Sequence, residues 1–186
     1  MDRGQITTRP IVPTDAATVA DLHTTSWRSA YRGMLRDEYL DGDISTERRQ
    51  VWAQRLETPV DANYGFIAES EVGPMGFVFM LGGADATWGT LVDNLHVVPG
   101  MKGRGIGRRL LEAAARETHR RFPADRVHLY VFEANLAARR FYASLGGREV
   151  ERGLVEPPGG GSQVHWRVAW DDAAHLLASV GRQAKP

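Results

Sequence analysis

Lys102-Gly-Arg-Gly-Ile-Gly107 combines residue types and spacing suited to chemistry. Three glycines (Gly103, Gly105, Gly107) and three cations (Lys102, Arg104, Arg108) lie between an apolar run ending at Pro99 and the start of an amphipathic stretch beginning at Ile106. The first turn of a helix leaves backbone N–H groups without acceptors at the positive end of the macrodipole, which makes an anion site. Glycines let phosphate oxygens approach that backbone without meeting a Cβ, and the cations add positive charge, so the expected guest is a pyrophosphate. A Walker-type loop needs Gly-Lys followed by Ser or Thr, whereas Gly107 is followed by Arg108-Arg109. A dinucleotide fold sets its Gly-x-Gly-x-x-Gly near a first strand, so neither fits. The plain alternative is that the glycines only make a tight strand-to-helix turn.

A second set lies near the start of the chain. His23, Trp27 and Tyr31 recur at i, i+4 and i+8, so they share one helical face. With Trp27 and Tyr31 as its wall, that face could roof an acceptor pocket. Asp37, Glu38, Asp41 and Asp43 follow in the connection and could draw a cation to its mouth. In the plainer reading Trp27 is core and the acids are a solvated loop.

The elements that would position these groups follow from periodicity. Residues 5–9 read as a strand, and Thr14-Asp15 can cap a helix with Val19, Leu22, Ser26 and Ala30 in a stripe. Ser45 opens a second helix with Val51, Trp52 and Leu56 inward. YGFIAES and MGFVFML flank a turn at Glu71 to Pro74 as an antiparallel hairpin, and LVDNLHVV is a third strand ending at Pro99-Gly100. Ile106, Leu110, Leu111, Ala114 and Thr118 then mark an amphipathic helix. Val127, Leu129 and Val131 alternate in the next strand, and Asn135 can cap a short helix ending at Gly146-Gly147. Two last strands, Arg148 to Val155 and Gln163 to Trp170, are joined by PPGGG. The reading is an α/β chain (α+β) forming one domain over 1–186, with a core over about 5–170 and a weakly patterned tail over 171–186.

Composition narrows the partners. The 42% hydrophobic and 25% charged residues are those of a globular domain rather than a disordered one. Lys and Arg number 23 and so do Asp and Glu, so no global field favours nucleic acid or an anionic membrane. The chain has no Cys, which excludes a thiolate nucleophile and Cys-based zinc, and no metal is expected. No apolar run approaches a membrane span and the N-terminus has no signal-like core, so the expected place is the cytoplasm.

VVPGMKGRGIGRRLLEAAAR resembles the acetyl-CoA motif of the GNAT superfamily of N-acetyltransferases, Gln/Arg-x-x-Gly-x-Gly/Ala, with Lys102 in place of the usual Gln or Arg. Asn135 to Gly147 resembles the family's later Asn-x-x-Ala-x-x-x-Tyr-x-x-x-Gly pattern, with Asn135, Ala138, Tyr142 and Gly146 in register and Gly147 where a Phe is common. HTTSWRSAYRGMLRDEYL more weakly resembles the small-molecule and polyamine branch. The resemblance covers about residues 5–170. It implies a mixed, mostly antiparallel sheet with helices on both faces and a central splay between the third strand and the Val127 strand. The splay would take the pantetheine arm against the backbone of Leu95, His96 and Val97, with the pyrophosphate at Lys102 to Arg108, Ile106 included. Asn135 either touches coenzyme A or only caps its helix.

The resemblance also implies roles. An alkylamine has a solution pKa of about 10.4, so it must lose a proton before attack. Tyr142 matches the family's acid for the departing thiolate, and the Val97 N–H its oxyanion donor. Many members carry a Glu where this chain has Leu91, and Asp93 is the nearest carboxylate. On strict alternation Asp93 shares a face with Leu91, Leu95 and Val97 and could act as base, while His96 points to the other face as a core or cofactor-side histidine. The activity implied is direct transfer of acetyl from acetyl-CoA to a small primary amine, with a polyamine among the candidates. A protein N-terminus or lysine acceptor, and a silent acyl-CoA sensor, are the alternatives. As an assembly, a homodimer is compatible with all of this.

Overall fold

The computed structural model describes residues 5–182. Strand β1 (Thr7–Pro10) leads through a 3-10 turn (Pro13–Asp15) into α1 (Ala16–Ala30), followed by α2 (Asp37–Asp41) and α3 (Ile44–Glu57). The turn is held by Asp15, whose carboxylate accepts from Val12 N (2.9 Å) and from the Arg9 guanidinium (2.8 Å). The five-residue helix α2 replaces the loop expected around the acids. There Asp37 and Asp41 each accept from Arg32 at 2.9 Å, so two of the four acids are already paired.

Strands β2 (Asn63–Ser70), β3 (Gly73–Asp85) and β4 (Gly89–Val97) form an antiparallel meander. Helix α4 (Ile106–Arg121), β5 (Val127–Phe132), α5 (Leu136–Ser144), β6 (Arg148–Val155), β7 (Gln163–Trp170) and α6 (Ala173–Arg182) complete the chain. The sheet order is β1-β2-β3-β4-β5-β7-β6, antiparallel throughout except between β4 and β5. That parallel pair is joined at only Thr90↔Val127 and Leu91↔His128. Beyond Leu91 the two strands part, and the sheet is split at its centre.

The register also breaks inside β4. Phe79 faces Asn94 and Met80 faces Val92, so Asp93 is an extra residue, a β-bulge. A one-residue slip exchanges faces for everything beyond it. Val92, Leu95 and Val97 accordingly all pack on the α4 side. Asp93 and Asn94 both reach Arg55 of α3 on the other side, and His96 stacks on His23 of α1. This corrects the strict alternation read from the sequence: Asp93 keeps the face of Leu91, but it shares that face with His96 and not with Leu95 or Val97.

Two layers cover the sheet. On one face α4, α5 and α6 bury Ile106, Leu110, Leu111, Tyr142, Leu145, Leu176 and Val180 against Val78, Val92, Leu129 and Trp170. On the other, Val19, Leu22, Trp52 and Leu56 of α1 and α3 pack on Ile67, Phe77 and Phe79. Helix α6 extends the core past residue 170: Ala173 and Leu176 are fully buried, so part of the expected tail is core, while residues 183–186 lie outside the described residues. No helix among the described residues is long and apolar enough to cross a membrane.

Candidate active site

The glycine loop lies at the open end of the splay. Gly100, Gly103 and Gly105 have φ of +80°, +79° and +77°, a left-handed backbone that L side chains avoid. A Cβ added to Gly103 or Gly105 would meet no atom of the chain within 4 Å, so both backbones face open space. Gly105 is the N-cap of α4 and has no side chain to cap it. The first intrahelical bond is Arg109 N to Gly105 O (3.0 Å), which leaves the N–H groups of Ile106 and Gly107 without an acceptor among the described residues, a place suited to an anion. Lys102 and Arg104 are exposed beside them and form no ion pair among the described residues. Two expected contributors are used otherwise. A Cβ on Gly107 would lie 3.3 Å from Phe141 of α5, so this glycine serves helix packing. Arg108 turns away to donate to Val180 O in α6 at 2.9 Å.

The splay exposes backbone. Val98 N donates to Met75 O (2.9 Å), so by strand alternation Val98 and His96 direct their backbone groups at β3, while Leu95 and Val97 direct theirs into the gap toward β5. The His96 carbonyl would sit 2.5 Å from a Cβ on Gly76, which confirms its direction. Of the three residues expected to offer backbone to an arm in the splay, Leu95 and Val97 have free groups and His96 does not. At the closed end, His128 Nδ1 and Arg167 meet at 3.0 Å, and Arg167 is also paired with Glu151 at 2.7 Å.

On the α1 side the splay is lined by rings. Tyr31, just after the last turn of α1, lies 5.4 Å from Phe132 of β5, 5.4 Å from Trp27 and 6.5 Å from His96 of β4, centroid to centroid. Tyr39 of α2 lies 6.5 Å from Trp27. Beneath them is a buried histidine pair, His23 and His96, stacked at 4.7 Å. Trp52 Nε1 donates to His23 Nδ1 (2.9 Å), and Trp27 Nε1 reaches His96 Nε2 (3.4 Å). An accepting Nε2 leaves the proton of His96 on Nδ1, where Ser26 Oγ accepts at 3.2 Å. Burial, helped by Lys102, pushes His96 down to about 3. Burial also pushes His23 strongly down, followed by the charges of His96 and nearby arginines.

These histidines make the fold sensitive to acid. The unfolded chain protonates imidazole near 6.5, the folded chain holds His96 neutral down to about 3, and acid favours unfolding throughout the interval between them. Stability is therefore full above that interval and is lost as pH falls through it, by up to about 1.4 kcal/mol per pH unit for each histidine so held. Urea midpoints taken from pH 7.5 to pH 5, above the carboxylate range, should decline; a flat series would contradict the burial.

Tyr142 comes from the opposite layer. It is buried against Trp170 (6.3 Å) and Phe141 (5.3 Å), and its hydroxyl makes no hydrogen bond among the described residues. Burial raises its proton affinity, and the nearby Tyr31 raises it further, so it stays a phenol at neutral pH. Asn135 caps α5, its Oδ1 accepting from Ala138 N at 3.1 Å.

A split sheet, a glycine loop opening a helix and a buried phenol are thus assembled by the segment that the model of the acetyltransferase (GNAT) family matches, residues 18–146. The chain belongs to the GNAT family. Solved GNAT structures share the fold. One from Rhodopseudomonas palustris, a GCN5-related N-acetyltransferase, superposes with a TM-score of 0.70 at 24% identity, covering 91% of this chain and 97% of that one. PaiA N-acetyltransferase from Thermoplasma acidophilum, in complex with coenzyme A, gives 0.65 at 19% over 89% and 99%. A variant of spermidine N-acetyltransferase SpeG from Vibrio cholerae gives 0.66 at 17% over 94% and 98%. No curated protein sequence matches the chain.

Acetyl-CoA is the acetyl donor of GNAT enzymes. Asp93 occupies a different place from the one its strand position suggested. Its Oδ2 accepts from Arg55 at 2.6 Å, and that guanidinium lies over the rings of Trp52 (5.0 Å) and Phe79 (5.3 Å). The sequence does not single out Phe132 or Tyr39, whose rings lie beside Tyr31 and Trp27. Phe132 was visible only as an alternating strand residue, and Tyr39 sits in a helix too short to show periodicity.

Proposed function

We propose that this chain transfers acetyl directly from acetyl-CoA to the primary amine of a small molecule with an apolar or aromatic body. The observation that carries this reading is the ring wall of Trp27, Tyr31, Tyr39 and Phe132 on the side of the splay opposite Tyr142. In this reading the N–H groups of Ile106 and Gly107 hold the diphosphate, and Leu95 and Val97 pair with the pantetheine amides. The Val97 N–H steadies the developing oxyanion, and Tyr142 protonates the departing sulfur. The chain has no cysteine to carry the acetyl group, so transfer is direct. Asp37 and Asp41 are spent on Arg32, and Arg48 lies 5.0 Å over Trp27, so local charge favours a monoamine over a polyamine. The Vibrio cholerae neighbour is nevertheless a spermidine N-acetyltransferase, and spermidine belongs in the test. The cysteine-free composition agrees with a cytoplasmic place.

The experiment is thiol release from acetyl-CoA over a panel of arylalkyl amines, alkyl monoamines, spermidine, and peptides with free N-termini or lysines. Turnover greatest on the arylalkyl amines is expected. Peptide acetylation would move the acceptor class, and coenzyme A binding without turnover on any amine would make the chain a sensor. Asp93→Asn bears on the base: its loss of the Arg55 ion pair should lower the melting temperature by a few degrees, about 1 kcal/mol for a partly exposed pair, and leave kcat within about threefold. A loss of two decades in kcat would restore Asp93 as the base.

A further inference from the structure

We infer that the buried ring of His96 is a positioning residue, which holds the free edge of β4 and the indole of Trp27 in fixed relation to one another. The inference rests on the acetyl-transfer reading above and gives a role to a side chain that reading leaves unused. A strand inside a sheet is held by neighbours on both sides, yet β4 pairs with β5 only at Thr90 and Leu91. From Asn94 to Val97 it is paired with β3 alone. Leu95 and Val97 turn their backbone groups into the gap, and His96 is the residue between them. Whatever fixes His96 therefore fixes both residues that pair with the pantetheine amides in that reading, and with them the N–H that meets the oxyanion.

The His96 ring is fixed from α1. Ser26 Oγ lies 3.2 Å from its Nδ1, Trp27 Nε1 donates to its Nε2 at 3.4 Å, and His23 stacks on it at 4.7 Å. Phe77 of β3 packs against it at 5.5 Å, and the residue is buried. An imidazole held in this way turns only by breaking both hydrogen bonds, so α1 does for this part of β4 what β5 does at Thr90 and Leu91. The same ring accepts the indole N–H of Trp27 and so sets the angle of that indole, which meets Tyr31 edge-on at 5.4 Å. One side chain thus links the strand that carries the thioester to the wall that carries the amine. Transfer depends on that relation, since a misplacement of about 1 Å can cost about a hundredfold in rate. His96 acts through Leu95, Val97 and Trp27, and not on the reacting atoms.

The test compares wild type with His96→Phe, His96→Gln and Ser26→Ala, by calorimetric titration of coenzyme A and of adenosine diphosphate and by kcat on the best amine of the panel. Adenosine diphosphate carries the diphosphate and lacks the pantetheine. His96→Phe keeps a ring against His23 and loses both hydrogen bonds. It should weaken coenzyme A about tenfold, leave adenosine diphosphate within about twofold, and lower kcat by about tenfold or more. His96→Gln brings an acceptor and a donor of its own and should recover part of each loss. The Ser26 hydroxyl meets only His96 among the described residues, so Ser26→Ala should lower coenzyme A affinity and kcat by about threefold while sparing adenosine diphosphate. A fall in melting temperature alone, an equal loss for both nucleotides, or a glutamine no better than phenylalanine would each overturn the positioning role while leaving the acetyl-transfer reading intact. Wild-type protein that binds coenzyme A no tighter than adenosine diphosphate, or that turns over no amine, would overturn that reading itself and the positioning role with it. Should His96→Phe fold poorly, Ser26→Ala decides: a selective loss of coenzyme A affinity supports the role, and unchanged affinity and kcat refute it.

Discussion

Replacing Gly105 with Val is expected to remove measurable coenzyme A binding from a chain that still folds. Two effects of the substitution have to be separated. Gly105 has a φ of +77°, and a residue with a Cβ pays about 1–2 kcal/mol to adopt that backbone, rather more when β-branched. No atom of the chain lies within 4 Å of where the Cβ would go, so the fold itself does not reject the side chain. A diphosphate seated on the N–H groups of Ile106 and Gly107 does. Gly83 supplies the control: it too has positive φ (+60°) and an empty surround, and it lies in β3, outside the loop. Gly105→Val and Gly83→Val should each lower the melting temperature by a few degrees, since about 1 kcal/mol moves a chain of this size by 2–4 °C. Calorimetric titration should show coenzyme A affinity unchanged in Gly83→Val and weakened at least about a hundredfold, near 2.8 kcal/mol, in Gly105→Val. Equal affinity in the two would take the diphosphate away from the loop.

Tyr142→Phe is expected to lower kcat by about 10² to 10⁴, which is about 2.7–5.4 kcal/mol of transition-state stabilisation, with coenzyme A affinity unaltered. The ring keeps its packing on Trp170 and Phe141, and the hydroxyl that is lost has no partner to leave stranded. The melting temperature should therefore hold. That combination separates an acid from a core tyrosine, whose loss would leave kcat alone. Unchanged turnover on the best amine would retire Tyr142 from the chemistry.

The parts of this site that could be read from the sequence are those in which neighbours along the chain are also neighbours in space. The loop from Lys102 to Gly107 and the helix opening at Ile106 are one continuous segment. Period and glycine content alone locate them. Asn135 at its cap and the His23–Trp27–Tyr31 face are local in the same sense. The bulge at Asp93 is not, because the extra residue exists only relative to β3, where Phe79 faces Asn94 and Met80 faces Val92. Reading β4 by itself therefore put Asp93 beside Val97 and His96 opposite, and one unpaired residue exchanged them. The Gly107 and Arg108 contacts are non-local in the same way. Both residues lie in the first turn of α4, where a Cβ on Gly107 would come 3.3 Å from Phe141 and the Arg108 guanidinium donates to Val180 O at 2.9 Å, partners that lie far along the chain. Helix α6 lies where the sequence reads as a weakly patterned tail, yet Ala173, Leu176 and Val180 are buried on one side of it.

The central claim is that the split between β4 and β5 holds acetyl-CoA, with the diphosphate on the first turn of α4 and the sulfur beside Tyr142. A crystal structure of the chain with coenzyme A tests it most directly. The expected density places the diphosphate on the N–H groups of Ile106 and Gly107, the pantetheine against Leu95 and Val97, and the sulfur within hydrogen-bond reach of the Tyr142 hydroxyl. Diphosphate density away from the α4 N-terminus, or an arm that leaves the gap between β4 and β5 empty, would contradict it.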